Sequence, residues 1–292
     1  MDLIHQAQQL PAILQSAVRI GVWFILLAII FIPLERLFPA RREKLLRRGL
    51  LTDIGYYFLN GLMTAMLLSV PLGFVAWAAK NWIPVNLSGI SAHWPLWQRV
   101  VMTMIIGEVG FYWGHRWSHQ IPLLWRFHAI HHSAEQVDWL VSTRGHPIDV
   151  VFTRVCGFVP LVLLGLLNPL SDNPGNVTLV ILIVAQAWGF FVHANVWWRF
   201  GPLEWLIATP AFHHWHHTND GPDVVNKNYA PMLPWIDWLF GTMHLPRRQQ
   251  PERYGIDTPM AANPIRQLVE PLLFWRPGSP PMVSSAPSKD AA

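Results

Sequence analysis

Apolar residues in this chain occur in long runs, and polar residues collect between the runs. The strongest run covers residues 54–79 and contains no charged side chain. A helix needs about 20 mostly apolar residues to cross the hydrocarbon core of a bilayer. The same pattern predicts up to five membrane-spanning helices, at residues 20–34, 54–79, 100–113, 155–167 and 177–198. The third run is short and contains Glu108, so the predicted count is four or five.

The composition agrees with a membrane protein. Hydrophobic residues make up 52% of the 292 residues and charged residues only 13%, whereas about 25% charged is typical of soluble domains. The 17 tryptophans and 15 phenylalanines suit the aromatic belts found at membrane surfaces. We therefore expect an all-α fold, an integral membrane helical bundle whose polar segments form a helical cap.

The distribution of basic residues predicts the orientation in the membrane. Segment 41–48 contains five basic residues, whereas segments 81–98 and 168–176 contain no lysine or arginine. Cytoplasmic loops carry the excess of lysine and arginine. Segment 41–48, residues 114–149 and everything after Trp198 should then face the cytoplasm, and the inner (cytoplasmic) membrane is the expected location. The first twenty residues lack the features of a cleaved signal peptide.

Nine histidines lie on this predicted cytoplasmic side, mostly three or four residues apart. Such spacing places imidazoles on one face of a helix. Neutral imidazole suits iron, zinc and copper, and one metal takes about four to six ligands. The number of histidines therefore predicts a dinuclear metal site. The residues are His115, His119, His128, His131, His132, His193, His213, His216 and His217.

Other features limit the classes of function and predict the local structure. Cys156 is the chain's one cysteine, which excludes an internal disulfide, a cysteine-ligated zinc site and an iron–sulfur cluster. The net charge of +4 is local, and we expect no nucleic-acid partner. Pro122 separates the first two histidine groups into two helices, and Pro210 should begin the helix of the third group.

The histidine spacing and its flanks resemble the membrane fatty acid hydroxylase/sterol desaturase superfamily across roughly residues 100–245. Beyond the three histidine boxes, the similar segments are 124–133 (LWRFHAIHHS), 144–149 (RGHPID), 193–195 (HAN), 209–210 (TP) and 235–242 (WIDWLFGT). Two positions depart from the pattern. Asn226 stands where the family usually has Asp, and Ala230 stands where Gly is usual.

The resemblance implies a non-haem di-iron enzyme that uses O2 to oxidise C–H bonds of a lipid. It makes the nine histidines metal ligands for two iron ions, with zinc as a substituted metal. No cytochrome b5-like module is visible, so electrons would come from an external ferredoxin, cytochrome or flavoprotein reductase. Hydroxylation and desaturation share the first hydrogen abstraction. We favour a hydroxylase of a fatty acyl or sterol-like lipid and keep a lipid desaturase as the alternative.

Five further polar residues are candidates for the metal ligands or for their hydrogen-bond partners. His146 could bind metal or support a ligand, and Asn195 could line the site. Glu108 and Asp237 could each hold an imidazole N–H; the alternatives are an intramembrane hydrogen bond for Glu108 and a surface turn for Asp237. Asn226 could form a weakened hydrogen bond to a ligand histidine.

Two functions of other classes compete. A zinc-dependent membrane hydrolase needs a carboxylate base near the metal, but the histidine boxes contain no acid and no His-Glu-x-x-His. A metal transporter would place its histidines along a path inside the spans, whereas these collect at one side.

The expected organisation has three parts. Residues 1–98 hold the first transmembrane helices and the basic loop. Residues 99–245 form the catalytic domain, with transmembrane helices near 150–168 and 177–198. Residues 246–292 are a C-terminal extension, disordered from about 276, where proline, serine and alanine dominate.

Overall fold

The computed structural model describes residues 11–82, 90–167, 176–258 and 260–273, and these residues fold almost entirely as helices. Within these ranges no β-strand forms, and two isolated bridges, Pro39 with Val196 and Thr218 with Tyr254, are the extended pairings. The all-α prediction is confirmed. The predicted disorder from about residue 276 lies outside the described residues.

The helices follow one another along the chain with short connections. The α-helices are α1 (Ala12–Leu37), α2 (Leu50–Trp82), α3 (Leu96–Gln120), α4 (Pro122–His132), α5 (Pro147–Leu163), α6 (Asn176–His193), α7 (Pro210–His216), α8 (Trp235–Leu239) and α9 (Pro264–Leu273). Three short 3-10 helices cover Ile90–His93, Trp139–Thr143 and Gly201–Trp205.

Two helices are long and apolar enough to cross a membrane. Helix α1 has 26 residues with a mean hydropathy of 2.5, and α2 has 33 residues with a mean hydropathy of 1.8. In their most apolar stretches only 11% and 17% of the residues are buried inside the protein. The core helix of a soluble protein would be mostly buried, so α1 and α2 present their apolar surface outward, as helices in lipid do.

The other three predicted spans correspond to helices that do not pass the same test. Helix α3 has 25 residues, but Arg99, Glu108 and Arg116 lower its hydropathy. Helix α5 has 17 residues and begins at Pro147, eight residues before the predicted start. The polar first turn of α5 hides this start from a hydropathy pattern. Of the predicted four or five spans, two are therefore clear candidates among the described residues.

The predicted span at residues 177–198 is too long. Helix α6 ends at His193, and the chain then leaves the helix through Ala194 and Val196, both with no exposed surface. These residues are apolar because the protein packs around them, with Val196 paired to Pro39. A hydropathy pattern does not distinguish such burial from contact with lipid.

Contacts between loops gather several helix ends at one end of the bundle. The backbone N–H of Arg41, just after α1, donates to Asn195 Oδ1 (3.0 Å), just after α6. Arg47, just before α2, donates to Asp138 (2.6 Å), which lies between α4 and α5. The basic loop and the segments that carry the histidines therefore lie together.

Glycines let α3 and α5 pack closely. A Cβ on Gly110 would lie 2.9 Å from the Cα of Gly157, and one on Gly114 would lie 2.8 Å from the Cβ of Cys156. Both distances are too short for real side chains, so the two helices approach through their backbones. Because α3 carries the first two site histidines, this contact fixes their height in the bundle.

Prolines begin the two helices where the sequence predicted them. Pro122 is the first residue of α4, separated from the end of α3 by the single residue Ile121. Pro210 is the first residue of α7, and the Thr209 hydroxyl before it accepts a hydrogen bond from the Phe212 N–H (3.2 Å). Proline lacks the N–H that a first turn leaves unpaired, so both helices start cleanly and their histidines fall on defined faces.

Candidate metal centre

The histidine end of the bundle brings all nine predicted ligand histidines together. They come from α3, α4, the end of α6, and α7 with the residue after it. Their ring nitrogens form two groups, and within each group these nitrogens lie within 4.8 Å of one another. The five-histidine group is His115, His119, His128, His132 and His216, and the four-histidine group is His131, His193, His213 and His217.

The distances between ring nitrogens suit metal coordination. In the five-histidine group the Nε2 atoms of His119 and His128 are 3.1 Å apart. In the four-histidine group His193 Nε2 lies 3.0 Å from His213 Nε2 and 3.3 Å from His131 Nε2. Two nitrogens bound to one metal at about 2.0–2.1 Å are separated by roughly 2.9–3.4 Å, depending on the angle at the metal.

Most of these rings are oriented by a hydrogen bond from the nitrogen that faces away from the group. A histidine that binds metal through one nitrogen typically donates its other N–H to a carbonyl or carboxylate, which fixes the ring and its tautomer. Six rings do this through Nδ1: His115 to Tyr229 O (2.7 Å), His119 to Asn226 Oδ1 (3.1 Å), His128 to Asp149 Oδ2 (2.9 Å), His131 to Arg144 O (2.9 Å), His193 to Gly189 O (2.6 Å) and His216 to Lys227 O (2.9 Å).

Several inward-facing nitrogens are buried without a hydrogen-bond partner among the described residues. They are the Nε2 atoms of His132, His216 and His217. Leaving a buried polar atom unpaired costs about 1–3 kcal/mol. Coordination to a metal would remove this cost, so the residues present fit a metal centre.

Burial also favours the neutral form that binds metal. It lowers the pKa of His131 to about 4, and it lowers the pKa of His216 well below the ordinary value. Neighbouring imidazoles act in the same direction, because a second positive charge nearby disfavours protonation. Near neutral pH these rings are therefore uncharged and ready to act as ligands.

Asp149 is a hydrogen-bond partner of the site that lies in the 144–149 segment and for which the sequence predicted no role. One carboxylate oxygen accepts from His128 and the other accepts from the Ser118 hydroxyl (3.1 Å). Asp149 lies in the first turn of α5, and Ser118 lies in the last turn of α3. An acid directly after the His-Pro start of a helix is the signal that would have indicated it.

Two other histidines have both ring nitrogens engaged elsewhere. His146 accepts from a backbone N–H in the first turn of α5 through Nδ1 and donates to Leu268 O through Nε2 (3.0 Å). His214 accepts from the Tyr254 hydroxyl (2.8 Å) and donates to Ala194 O (3.0 Å). His146 therefore has no ring nitrogen left to bind metal. Its ring instead caps the start of α5.

Asn226 lies where the sequence placed it, against a histidine of the metal groups. Its Oδ1 accepts from His119 at 3.1 Å, and its backbone adopts a left-handed conformation with φ of 60°. The amide thus supplies a neutral acceptor at a position where the family pattern has a carboxylate.

The other three candidates support backbone segments instead of imidazoles. Glu108 accepts from the backbone N–H groups of Met232 and Leu233, and Asn195 pairs with the backbone of Arg41. Asp237 is fully buried. It accepts from the N–H groups of Tyr229 and Ala230 (2.8 Å each) and from the Thr242 hydroxyl (2.6 Å). Buried loop N–H groups need acceptors. The side chains that were expected to hold or line the site accept these hydrogen bonds and so do not contact the imidazoles.

A small apolar cavity lies below the histidines, between α3, α5 and α6. It measures about 50 Å³, and Phe111, Leu161 and Ala185 are among its lining residues. Phe111 precedes His115 by one turn of α3, and Ala185 precedes His193 by two turns of α6. A larger groove of about 560 Å³ runs along the opposite face of α3. The small cavity therefore lies on the face of α3 that carries His115, although no histidine lines either space.

The site and the fold define a helical protein with two histidine groups that could hold metal ions at one end of apolar helices. A family model described as fatty acid hydroxylase matches residues 100–242. The chain belongs to this family, and the predicted resemblance is confirmed. Together with the two exposed apolar helices, this membership makes the chain a membrane protein.

Curated relatives carry the names of lipid-modifying enzymes. Ornithine lipid hydroxylase OlsE of Rhizobium tropici is 37% identical over 198 residues, which cover 68% of this chain and 56% of that protein. Alkylglycerol monooxygenase of Danio rerio is 29% identical over 192 residues, 66% of this chain and 40% of that protein. The Homo sapiens alkylglycerol monooxygenase is 29% identical over 153 residues, 52% of this chain and 32% of that protein.

The chain spans between about a third and just over half the length of these relatives. No solved structure matches the chain.

Proposed function

We propose that this chain is a membrane-bound, di-iron, O2-dependent oxidoreductase that hydroxylates a lipid. The observation that carries the proposal is the pair of adjacent histidine groups, five and four neutral rings, whose nitrogens are spaced for coordination. Such an all-nitrogen donor set suits iron, zinc or copper. The hydroxylase and monooxygenase names of the relatives favour iron among these metals.

The nine histidines are the proposed ligands, and the two groups are unequal. Because iron accepts up to about six ligands, the four-histidine group would satisfy less of a bound iron's ligand demand than the five-histidine group. Two bound irons would supply the reductive activation of O2. The overall reaction consumes O2, two electrons and two protons, and it turns one lipid C–H into C–OH with release of one water. The electrons require an external ferredoxin, cytochrome or flavoprotein reductase.

The protein's part in this reaction is to position groups and exclude water. Hydrogen bonds such as that from His128 to Asp149 hold the rings in place before any metal binds. The apolar cavity beside Phe111 and Ala185 lies on the side of α3 that carries His115, and a lipid chain would have to widen it to reach the histidines and keep water from the reacting carbon. A lipid with its head group at the water boundary and its chain between α3, α5 and α6 would present a chain carbon to the metals.

The finer location follows from the same arrangement. We propose that residues 99–245 form the catalytic unit, that α3, α5 and α6 also cross the bilayer, and that the membrane is the inner (cytoplasmic) one. The metal centre would then face the cytoplasm, because segments next to its histidines contact the basic loop through the Arg41–Asn195 and Arg47–Asp138 hydrogen bonds.

The decisive experiment follows labelled oxygen into lipid. Cells with and without the gene are grown under ¹⁸O2, and their lipids are compared by mass spectrometry. A lipid that gains one labelled oxygen supports hydroxylation. A lipid that loses two hydrogens without label would overturn hydroxylation in favour of desaturation at the same site.

Variants from each histidine group connect the activity to the site. His131→Ala and His216→Ala should each abolish lipid oxidation while the protein still inserts into the membrane. Full activity in both variants would contradict the di-iron proposal. Metal analysis should find two irons per chain after anaerobic reconstitution with ferrous iron, which avoids competition from zinc. A single tightly bound zinc would support a hydrolase instead.

A further inference from the structure

Helix α9 turns its apolar side away from the protein. Ile265 and Leu273 are 69% and 65% exposed, and Val269 and Leu272 lie on the same helical face. The side that packs against the protein is polar, since Gln267 is 4% exposed and accepts a hydrogen bond from the Tyr56 hydroxyl (3.1 Å). An amphipathic helix of a soluble domain packs the other way round, with its apolar face on the core. The apolar face of α9 therefore lacks a cover among the described residues.

The depth of α9 in the molecule indicates what covers this face. Helix α2 has 33 residues, which rise about 50 Å, about 20 Å more than the hydrocarbon core of a bilayer. If α2 is centred, about 10 Å protrudes at each end. Tyr56 lies six residues after Leu50, about 9 Å along the helix. Tyr56 and its partner Gln267 are therefore at the boundary between hydrocarbon and head groups.

The charged residues of α9 occupy one edge of the helix. Arg266 and Glu270 form an ion pair (2.7 Å) with exposed side chains, between the apolar face and the face that packs on Tyr56. The loop before α2 adds the exposed basic residues Arg42, Lys44 and Arg48 at the same end of the bundle. Basic residues next to a membrane span are attracted to anionic head groups. An apolar face with a charged edge is the pattern of a helix in the interface plane.

We propose that α9 lies in the surface of the membrane that α1 and α2 enter, with Ile265, Val269 and Leu272 in lipid. The helix is also tied to the metal centre. His146 donates to Leu268 O of α9 (3.0 Å) and caps the start of α5. Asp149, the partner of His128, follows His146 by three residues in the first turn of α5. Lipid contact at α9 thus braces the segment that orients one metal group.

The test measures which face of α9 meets lipid, in the full chain and without any activity assay. Cys156 is replaced by Ser, and Val269→Cys or the matched Glu270→Cys is labelled with a polarity-sensitive fluorophore. The protein is reconstituted in vesicles of phosphatidylcholine and phosphatidylglycerol. Some vesicles contain lipid with a nitroxide quencher near the head group. Iodide in the water serves as the opposite quencher.

We expect the label at position 269 to be quenched severalfold more by the nitroxide lipid than the label at position 270, and iodide to show the reverse order. Equal quenching of both labels by iodide would overturn the proposal, because the apolar face would then be in water. Protection of position 269 from both quenchers would also overturn it, in favour of a second protein surface as the cover. Ile265→Cys repeats the measurement at an independent position if Val269→Cys does not fold.

Discussion

At the scale of single residues, the Asp149 carboxylate is the charged side chain that, among the described residues, accepts a hydrogen bond from a histidine of the metal groups. It accepts from His128 with one oxygen and from Ser118 with the other. A carboxylate partner raises the basicity of a ligand imidazole more than a neutral carbonyl does, and removal of such a partner typically costs 10–100-fold in metal affinity.

We expect Asp149→Asn to retain iron about 10–100-fold less tightly than the unmodified protein, because the amide lacks the negative charge. The measurement is iron content after dialysis against increasing chelator concentrations. Ser118→Ala is the matched control, since it removes the neighbouring hydrogen bond to the same carboxylate and leaves the His128 contact in place. Retention by Asp149→Asn equal to that of Ser118→Ala would contradict the role of the charge.

His146 gives the opposite expectation, because both of its ring nitrogens are already engaged. His146→Asn keeps an oxygen that can cap α5 and loses the hydrogen bond to Leu268. We expect full iron content, with unfolding easier by about 1 kcal/mol, the usual net value of one hydrogen bond. His131→Asn, which changes a member of the four-histidine group, should lose iron in the same metal analysis. Loss of iron from both variants would make His146 part of the metal site.

The residue scale also shows what sequence could and could not predict about the site. Eight of the nine histidines are evident from their spacing, because side-chain identity carries the chemistry, and His193 is indicated by the family's His-x-Asn element. Their acceptors are mostly backbone carbonyls, such as those of Tyr229 and Lys227. Every residue has a carbonyl, so only the fold selects which ones meet an imidazole. Asn226 could be found, because there a side chain is the acceptor.

At the scale of elements, segment 225–230 is the outer wall of the five-histidine group. It supplies the acceptors for three of the five rings, through Asn226 Oδ1, Lys227 O and Tyr229 O. Two of its residues have left-handed backbones, Asn226 and Asn228, with φ of 60° and 57°. Asparagine tolerates this conformation better than most residues, which lets consecutive carbonyls turn toward the rings.

Replacing Asn228 should loosen this wall. Its amide donates to Phe212 O (2.8 Å) and His244 O (2.7 Å) and accepts from the His244 N–H (2.7 Å). Asn228→Gly loses these bonds, and Asn228→Ala also adds a left-handed penalty of about 1–2 kcal/mol. We expect both to unfold at lower denaturant concentration in detergent, alanine more than glycine. Equal losses would remove the argument from backbone strain.

A side chain added at the contact between α3 and α5 should destabilise the fold. In Gly110→Ala the new Cβ would lie 2.9 Å from Gly157 Cα, and overpacking of this kind costs about 1–3 kcal/mol. Gly73→Ala in α2 is the control, because nothing lies within 4 Å of its Cβ. Alanine there should be neutral or stabilising by up to about 1 kcal/mol. Unfolding of both variants in detergent gives the comparison, and equal stability would show that the helices can separate freely.

Hydropathy predicted that these helices exist but misplaced their ends. The pattern extends α6 past His193 because residues 194–198 are apolar, yet Ala194 and Val196 are buried by protein. It begins α5 late because Asp149 and Arg154 are polar, although Asp149 holds His128 within the protein. In both cases tertiary contacts, which hydropathy does not contain, decide where the helix begins or ends.

At the scale of the whole molecule, ion pairs join the basic loop to the histidine end. Arg47 contacts Asp53 (2.7 Å) and Asp138 (2.6 Å), and Arg144 contacts Asp53 (2.5 Å). Arg47 and Asp53 are buried. Removing one partner of such a network leaves an uncompensated buried charge and typically costs about 3–5 kcal/mol. These contacts hold the loop and the metal centre on the same side of any membrane that α2 crosses.

This arrangement predicts the topology. Helix α2 rises about 50 Å from its first to its last residue, which is enough to cross a bilayer whose core is about 30 Å thick, and the uncharged run at residues 54–79 favours crossing. His93 lies just beyond its far end, whereas Lys44 and Gln249 lie at the histidine end, and all three are exposed. In a Cys156→Ser background in intact bacterial cells, a membrane-impermeant maleimide should label His93→Cys. Lys44→Cys and Gln249→Cys should react only after permeabilisation, since basic loops stay in the cytoplasm.

Labelling of Lys44→Cys and Gln249→Cys from outside, with His93→Cys protected, would invert the orientation and leave the fold intact. Labelling of both Lys44→Cys and His93→Cys from outside would mean that α2 does not cross the membrane, which would remove the physical basis for placing the metal centre at the bilayer surface.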